Sequence, residues 1–378
     1  MGMLDGIRVV ELGQNLAGPY ASQILADLGA EVIKVEKPGG DDARGWGPPF
    51  AKDGGAVAFH AINRNKASVV IDLQSADGMA AFKRLIGQAD IFVHNLRPGA
   101  ADKLGIGARQ MTAQFARLIY CDIAAFGHKG PLKLKPGYEP LLQAFGGLVS
   151  VNGDPSGPPA RMGASVIDFG TGMWTVIGAL AALNKRHRTG QGCVVETSLF
   201  ETALGWVGSH IAGWSVTGQL PERQSTGHAS LTPYQAFQTS NGPLVITAGN
   251  DRLFAKLATE LGHGEWASDA RFTSNRQRMA NKPALLALVQ AVIATDTKEH
   301  WVERLEAAGV PCAPINDIAE VAAHAQTKAL GMLQQDENVG VLSWVAPVNF
   351  DGQGAVYGRP APELGADTER LLGKRAAE

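Results

Sequence analysis

The stretch GIRVVELGQNLAGPYASQILADLGAEVIKVE, residues 6–36, holds two strand-like segments on either side of one helical segment. The β-branched runs 6–12 and 30–36 have the length and composition of strands. Between them, residues 20–29 show the helical spacing of apolar side chains and end at Gly29. A strand, a helix and a strand within about 30 residues predict two parallel strands joined by a crossover helix.

The same alternation continues through the first half of the chain. Further strand-like runs occupy residues 67–73, 89–96 and 116–127, with a helical segment at 76–88. We therefore predict an α/β fold whose large, Rossmann-like domain has a parallel sheet covered on both faces. Ligands of such sheets bind beyond the carboxyl ends of the strands, so the candidate site lies in the loops that follow residues 12, 36, 73 and 96.

A polar, turn-rich segment at 219–232 predicts a crossing into a second, smaller α/β domain. One strand and three helices are expected beyond it, at 242–249, 251–261, 283–296 and 298–308. Residues 309–316 resemble an extended link, and the tail has little periodicity of its own. We assign 1–218 and 327–378 to the large domain, and 219–326 to the small domain with its linkers.

The bulk composition narrows the class of protein. Hydrophobic residues make up 45% and charged residues 19% of the 378 residues, as in ordinary soluble enzymes. A net charge of −2 provides no field that would attract nucleic acid or acidic membranes. Three distant cysteines argue against a disulfide framework or a zinc site, and we expect no metal. No signal peptide or transmembrane run is expected, so cytoplasm is the predicted location.

Several nucleotide and hydrolase motifs are absent. The loop after the first strand contains GQNLAG at 13–18, which lacks the glycine pattern that brings a backbone up to a dinucleotide pyrophosphate. The sequence has no Walker A motif, no H-E-x-x-H and no complete nucleophile elbow. We therefore expect no nucleotide redox cofactor.

Asp168 stands alone among small and apolar residues in the stretch PARMGASVIDFGTGMW, residues 159–174. One interpretation is a helix N-cap. The other is a catalytic carboxylate, because it follows Val166 and Ile167 and should lie near the interior. Gly170 and Gly172 would then let a bulky ligand come close. Carboxylates can act as nucleophiles toward acyl groups, so both interpretations remain open at this point.

Several motifs together resemble the class III CoA-transferase family, which includes formyl-CoA and carnitine CoA-transferases and the related α-methylacyl-CoA racemases. They are AGPYASQILADLGAEVIKVEKPGGD, NRNKASVVIDLQSADG, HNLRPGAADKLGIG, GYEPLLQAFGGLVS, SVIDFGTG and TGQGCVVETSLFE. The resemblance covers nearly the whole chain. It implies an intertwined homodimer, a large domain built from both chain ends, and acyl-CoA and carboxylic acids as substrates.

In the same family terms, Asp168 attacks the thioester carbonyl, which forms a mixed aspartyl anhydride and then an aspartyl-CoA thioester. An ordinary aspartate is ionised at pH 7, so we expect it to need no helper base. The resemblance also assigns the following positions to CoA: Leu16, Ala17, Lys37, Ile71, Asp72, Leu73, Gln74, Asn95, Leu96, Arg97, Lys103 and Tyr138. Lys103 replaces an arginine and keeps the charge without its bidentate geometry. Gln74 stands where some members have lysine.

A racemase needs two acid/base groups, and the family's racemases place a histidine where this chain has Tyr138. A phenol with a pKa near 10 is a poor base at neutral pH, so the transferase is favoured. The racemase is the alternative, and a catalytically inactive CoA-binding protein is the second alternative. Glu139 either orients the site or is a surface acid at a helix start.

Substrate contacts are expected at Arg44, Glu139, His228, Gly249 and Asn250. The region 246–254 lacks the glycine-rich loop of formyl-CoA transferases, which predicts that oxalate and formate are not substrates. The family's range indicates a dicarboxylic or short-chain acid as acceptor, with succinyl-CoA or acetyl-CoA as donor.

Overall fold

The computed structural model describes residues 2–355 and 357–373. Its residues form two compact units. The first contains the described residues of 1–148, 162–212 and 325–378, and the second contains 149–161 and 213–324.

A parallel sheet forms the centre of the first unit. Within the described residues it has six strands: β1 (Arg8–Leu12), β2 (Glu31–Glu36), β3 (Lys66–Val70), β4 (Ile91–His94), β5 (Ile119–Ala124) and β6 (Val194–Ser198). Their order is β3-β2-β1-β4-β5-β6. Val10 of β1 pairs with Ile33 on one side and with Phe92 on the other. The strand order reverses at β1, so the loops after β1 and β4 border the crevice where doubly wound sheets bind ligands.

Helices cover both faces of this sheet. They are α1 (Ala17–Asp27), α2 (Val57–Asn63), α3 (Ala76–Ile86), α4 (Ala100–Lys103), α5 (Ala108–Gln114), α6 (Glu139–Phe145), α8 (Val166–Thr189) and α9 (Leu199–Trp206). The residues of α7 (Leu148–Val151) and α10 (Gly208–Thr217) are divided between the two units. A short 3-10 turn lies at Asp42–Gly45. Val9 packs with α1 and α8 on one face, while Val10 packs with α3 and α5 on the other. The predicted α/β fold with a sheet covered on both faces is confirmed.

Helix α8 corrects one expectation from the sequence. It is 24 residues long, with a mean hydropathy of 1.6 over its most apolar window, and by length and composition it could cross a membrane. The prediction that no apolar run reaches that length is therefore wrong. The side chains of Ile167, Val176 and Ala179 pack in the same core as Val9, as those of a core helix do.

The second unit contains an antiparallel sheet with the order β7-β8-β9. The strands are β7 (Tyr234–Thr239), β8 (Gly242–Thr247) and β9 (Cys312–Pro314), and the helices are α11 (Asp251–Glu260), α12 (Asn275–Ala280), α13 (Lys282–Ile293), α14 (Lys298–Ala307) and α15 (Ile318–Ala323), with a 3-10 turn at Gly264–Ala267. The segment expected to be an extended link supplies β9, because Ala313 pairs with Val245 of β8.

The segment 149–161 belongs to the second unit, whereas the sequence had assigned it to the large domain. Hydrogen bonds explain the difference. The Ser225 N–H donates to the Gly153 carbonyl at 3.0 Å. The Arg223 guanidinium donates to the carbonyls of Asp154 and Gly157 at 3.0 and 2.7 Å.

The C-terminal part of the first unit has more structure than its sequence predicts. It contains α16 (Ala325–Leu330), β10 (Leu333–Asp336), β11 (Val341–Trp344), β12 (Asn349–Phe350), β13 (Gln353–Gly354) and α17 (Thr368–Leu372). Its end is attached to edge strand β3, where the Val70 N–H donates to Thr368 Oγ1 and the Ser68 N–H to Asp367 Oδ2, each at 3.0 Å. Tertiary contacts order this segment where local periodicity does not.

Candidate active site

A cavity of about 160 Å³ opens at the carboxyl ends of β1 to β4. Six of the residues assigned to CoA line it: Lys37, Ile71, Asp72, Leu73, Gln74 and Leu96. They come from the loops after β2, β3 and β4, which the parallel topology brings to one edge of the sheet. The remaining wall includes Gly13 and Gln14 of the loop after β1.

The other CoA candidates lie around this edge in different settings. Leu16 is the N-cap of α1 and Ala17 its buried first residue. Arg97 and Lys103 are exposed and stand outside the cavity lining, where their charges are free to meet solvent or a ligand. Tyr138 is the N-cap of α6 and is 57% exposed.

Asn95, another of these candidates, makes two bonds to one residue of the loop after β1. Its Oδ1 accepts from the Gln14 N–H at 2.9 Å, and its Nδ2 donates to the Gln14 carbonyl at 2.8 Å. The side chain therefore joins the loops after β1 and β4 at the point where the strand order reverses.

Beneath the β1 loop lies a buried cluster of charges that the sequence analysis missed. Lys34 Nζ contacts Glu11 Oε1 at 2.8 Å and Asp41 Oδ2 at 2.9 Å, and Lys66 Nζ contacts Glu11 Oε2 at 2.7 Å. The side chains of Glu11, Lys34 and Lys66 have no exposed surface. A sequence signal was present, since these charged residues occupy strands that are otherwise apolar, but pattern alone does not show which ones meet.

Burial and pairing act against each other in this cluster. Burial alone would raise the pKa of Glu11, but the two lysines outweigh it and the pKa is lowered. Burial lowers the pKa of Lys66 to about 8, although Glu11 attracts its proton. Lys34, which has two carboxylate partners, keeps a raised pKa because they outweigh its burial.

Asp168 lies in the first turn of α8, three residues after the N-cap Ser165. The N-cap interpretation is therefore wrong. The glycines beside it serve helix packing: a Cβ on Gly172 would lie 3.0 Å from the Ala17 carbonyl oxygen of α1, and one on Gly170 would lie 2.8 Å from the Trp206 ring of α9. The sequence predicts that these glycines admit a ligand, but in the structure they allow α1 and α9 to pack closely against α8.

The acidity of Asp168 also differs from the expectation. Burial, and then the nearby charge of Glu139, raise the pKa of Asp168 to about 7. The carboxyl is therefore about half protonated at pH 7, whereas an ordinary aspartate would be fully ionised. A raised pKa with a specific charge partner is typical of functional carboxyl groups.

Glu139 is buried, so its interpretation as a surface acid is wrong. Its Oε1 accepts from Gln143 Nε2 at 2.8 Å and from the Ile167 N–H at 3.3 Å. Its Oε2 is buried and makes no hydrogen bond to the described residues. The bond to Ile167 attaches Glu139 to the first turn of α8, next to Asp168.

The remaining substrate candidates have protein partners. Arg44 forms two bonds with Glu36, at 2.8 and 2.7 Å, and its guanidinium lies 4.0 Å from the centre of the Phe59 ring. An intramolecular ion pair thus engages the group that was expected to bind an anion.

In the second unit, the Ser230 N–H donates to His228 Nδ1 at 3.1 Å. Asn250 caps α11 through the Leu253 N–H at 2.9 Å. Arg278 donates to the Gly249 carbonyl at 2.8 Å. Among the described residues, no group of three or more His, Cys, Asp or Glu is placed to hold a metal ion.

Comparison with known proteins agrees with this geometry. Residues 4–368 match CoA-transferase family III. The chain is 37% identical over 366 residues to an acetyl-CoA:oxalate CoA-transferase of Acetobacter aceti, covering 96% of this chain and 93% of the relative. It is 36% identical over 382 residues to a succinate–glutarate CoA-transferase of Agrobacterium fabrum, covering 98% and 94%.

A solved structure shares the architecture as well. A CAIB/BAIF family protein from Brucella suis superposes with a TM-score of 0.89 at 38% identity, covering 98% of this chain and 99% of that one. These matches agree with the parallel sheet, the cavity at its edge and the pair of acids Asp168 and Glu139. The chain belongs to CoA-transferase family III and is a CoA-transferase.

Proposed function

We propose that this enzyme moves CoA from an acyl-CoA donor to a dicarboxylic acid through covalent intermediates on Asp168. The observation that carries the proposal is the half-buried Asp168 carboxyl, whose pKa is raised to about 7 beside the buried Glu139. A partly desolvated carboxylate is a better nucleophile than a hydrated one, because water does not have to be removed before attack.

In the proposed reaction, each step converts one activated acyl compound, a thioester or an anhydride, into another. Asp168 Oδ attacks the thioester carbonyl, the C–S bond breaks, and CoA leaves as a thiolate with an anhydride on Asp168. The thiolate then attacks the aspartyl carbonyl, which releases the donor acid and forms aspartyl-CoA. The acceptor carboxylate attacks this thioester, which expels CoA thiolate and forms a second anhydride between Asp168 and the acceptor acid. The thiolate then attacks the acceptor acyl carbonyl, which forms the new acyl-CoA and restores the Asp168 carboxylate. No net proton is consumed and ATP is not required.

CoA is proposed to lie along the cavity at the carboxyl ends of β1 to β4. Leu96, Ile71 and Leu73 supply an apolar surface for the adenine, and Lys37 supplies a charge beside it. Lys37 pairs with Asp42 at 2.7 Å while half exposed, so a phosphate can compete for it at little cost. Arg97 and Lys103 are exposed on the same edge and are the further phosphate candidates.

The acceptor class rests on the relatives, which are named for oxalate, succinate and glutarate. These acids share two carboxylates, and we propose the same class here. The exclusion of oxalate, based on the missing glycine-rich loop, stays a prediction. Because one relative is named for oxalate, oxalate belongs among the acids to be tested.

We also propose that the enzyme is a homodimer. Helices α8 and α9 and the start of α10 expose large apolar side chains: Met173, Trp174, Ile177, Leu204, Trp206 and Ile211. Large apolar side chains exposed on three consecutive helices are consistent with a protein interface. The family resemblance implies a second copy of the chain as its occupant.

A screen of acyl-CoA donors against carboxylic acids, followed by mass spectrometry, tests the reaction. We expect a new acyl-CoA to form for at least one dicarboxylate pair, and we expect Asp168→Ala to abolish it. If deuterium exchanges into the α-position of the acyl group without any transfer, the racemase is the correct function. If CoA binds and neither reaction occurs, the chain is an inactive binder.

A further inference from the structure

Three side chains from other strands and loops hold the backbone between β1 and the first turn of α1. Lys34 Nζ donates to the Gly13 carbonyl at 2.9 Å, and Lys66 Nζ donates to the Pro19 carbonyl at 2.8 Å. Asn95 binds both the N–H and the carbonyl of Gln14. All of these bonds end on residues 13–19, the segment that contains Leu16 and Ala17, two of the positions that the family resemblance assigns to CoA.

The two lysines are held in place by balanced charge. Lys34 and Lys66 share Glu11, and Lys34 also contacts Asp41, so two cations face two carboxylates out of water. Apolar side chains of similar volume often replace buried ion pairs without loss of stability. Apolar side chains could not, however, donate the hydrogen bonds that the two Nζ groups make to the loop carbonyls.

The loop itself has a conformation that needs support. Asn15 has a φ of 67°, in the left-handed region, which asparagine adopts more readily than other non-glycine residues but still at some cost in free energy. Its N–H points to Asp41 Oδ1 at 3.4 Å, so the same charge cluster supports the strained residue. Such strain persists only where the surrounding structure holds it.

We propose that Lys34, Lys66 and Asn95 are positioning residues that set the backbone of residues 13–19 to receive CoA. The inference rests on the proposed function. A loop already held in its binding conformation spends less free energy on ordering when CoA arrives, so removal of a support weakens CoA binding. The acceptor acid, which does not depend on this loop in the proposal, is affected less.

The test compares Lys66→Met and Asn95→Ala with Arg186→Met as a matched control. Arg186 is 6% exposed and pairs with Asp90 at 2.8 Å, just before β4 and therefore at the opposite end of the strands. Free CoA is the probe, and its Kd is measured by calorimetry. The KM for acyl-CoA and for the acid, the melting temperature, and hydrogen exchange of residues 13–19 in the CoA-free protein complete the set.

We expect Lys66→Met and Asn95→Ala to raise the Kd for CoA and the KM for acyl-CoA by about tenfold or more, because ordering of the released loop then opposes binding. The KM for the acid stays near its wild-type value, and exchange in residues 13–19 rises even without CoA. Arg186→Met lowers the melting temperature but leaves the Kd unchanged. Asn95 is only half-buried, so its variant decides the question if Lys66→Met does not fold.

Wild-type Kd values and exchange rates in the folded variants would overturn the positioning role and leave the proposed function intact. Equal loss of CoA affinity in Arg186→Met would also overturn it, because the effect would then follow from stability alone. A wild-type enzyme that does not bind CoA would overturn the proposed function and this inference together.

Discussion

Asp168 and Glu139 differ in the hydrogen bonds and charges that surround their carboxyl groups. Glu139 accepts hydrogen bonds from Gln143 and from the Ile167 N–H, whereas burial and the Glu139 charge raise the pKa of Asp168. Environments that push the pKa of one carboxyl upward are common where that carboxyl has a chemical task. This difference allows the pH dependence of the reaction to be predicted.

The rate of the chemical step should rise with pH and reach half its maximum near pH 7. Only the ionised form of Asp168 is a nucleophile, and its pKa is raised to about 7 by burial and by Glu139. Single-turnover rates with acyl-CoA between pH 5 and 9 measure this directly. A flat profile across pH 5 to 8 would be inconsistent with Asp168 as the nucleophile.

Glu139→Gln should move that midpoint to lower pH. The variant removes the negative charge that adds to the effect of burial, so the Asp168 pKa falls toward the value that burial alone sets. The maximal rate is also expected to fall, because the glutamine presents an amide group where the carboxylate stood. An unchanged midpoint would show that the two acids are not coupled.

Asp168→Asn should stabilise the protein at alkaline pH. A carboxyl whose pKa is raised on folding favours the native state below its unfolded pKa, and this contribution is lost as pH rises to the folded value near 7. The variant removes the unfavourable buried charge, so its gain in melting temperature over wild type should grow from pH 5 to pH 7 and then level off. A variant less stable than wild type at pH 8 would contradict the raised pKa.

The sequence analysis named Asp168 and six of the fourteen residues that line the cavity, but it did not predict the electrostatics of these residues. The motif around Asp168 indicates its place in the chain, whereas its pKa depends on burial and then on the charge of Glu139, which belongs to α6. The pairing of Lys66 with Glu11 likewise depends on a contact between residues that lie far apart in the sequence. Such contacts join distant parts of the chain, and no local pattern encodes them.

Helix α8 presents Asp168 correctly only if it packs closely on α1. Gly172→Ala would place a Cβ 2.9 Å from the Tyr20 ring and 3.0 Å from the Ala17 carbonyl oxygen, so α8 must move away. We expect a loss of stability of about 1–3 kcal/mol and a lower rate of transfer. Denaturant unfolding and steady-state kinetics measure both.

Gly205→Ala in α9 is the control for this change, because a Cβ there meets no atom within 4 Å. It should be neutral or slightly stabilising, as alanine usually is in a helix. Equal effects of the two substitutions would mean that helix propensity, and not the contact with α1, explains the result.

In the second unit, Arg278 of α12 bonds to three loops. Its buried guanidinium donates to the carbonyls of Thr232, Phe272 and Gly249 at 2.8–3.0 Å. Arg278→Met leaves these acceptors without a partner, and we expect a loss of about 3 kcal/mol or more in stability. Arg271→Met, which removes a solvent-exposed pair with Asp269, should change the melting temperature very little. Similar effects of both would refute the structural role of Arg278.

Among the secondary-structure elements, the parallel strands were the most predictable from sequence. β1 and β2 lie within the predicted runs because their apolar residues are buried on both faces. The sequence analysis did not predict β7 or β9. β9 has only three residues and contains Pro314. Short strands of this kind are defined by their partner strand rather than by their own composition.

For the whole molecule, the apolar surface on α8 and α9 predicts self-association. Trp174 is 48% exposed and Ile177 is 52% exposed, one turn apart on the same face of α8. Trp174→Asp would place a charge in the proposed interface and should yield monomers in sedimentation analysis, whereas Trp174→Phe keeps the apolar surface and should remain a dimer. A monomeric wild type would contradict the proposal.

The overall α/β class follows from the repeated strand and helix pattern of the first half of the chain. The assignment of residues 149–161 to the second unit could not be predicted, because it depends on bonds from Arg223 to backbone carbonyls 69 and 66 residues away. Whether a segment belongs to one compact unit or another is decided by such contacts and not by sequence position.

In the proposed reaction an acyl group becomes covalently attached to Asp168 during transfer. Hydroxylamine added to the enzyme during turnover with acyl-CoA, followed by peptide mass spectrometry, detects such an intermediate. We expect a hydroxamate on the peptide that contains Asp168, formed only when acyl-CoA is present. Sustained CoA transfer with that peptide unmodified would contradict it.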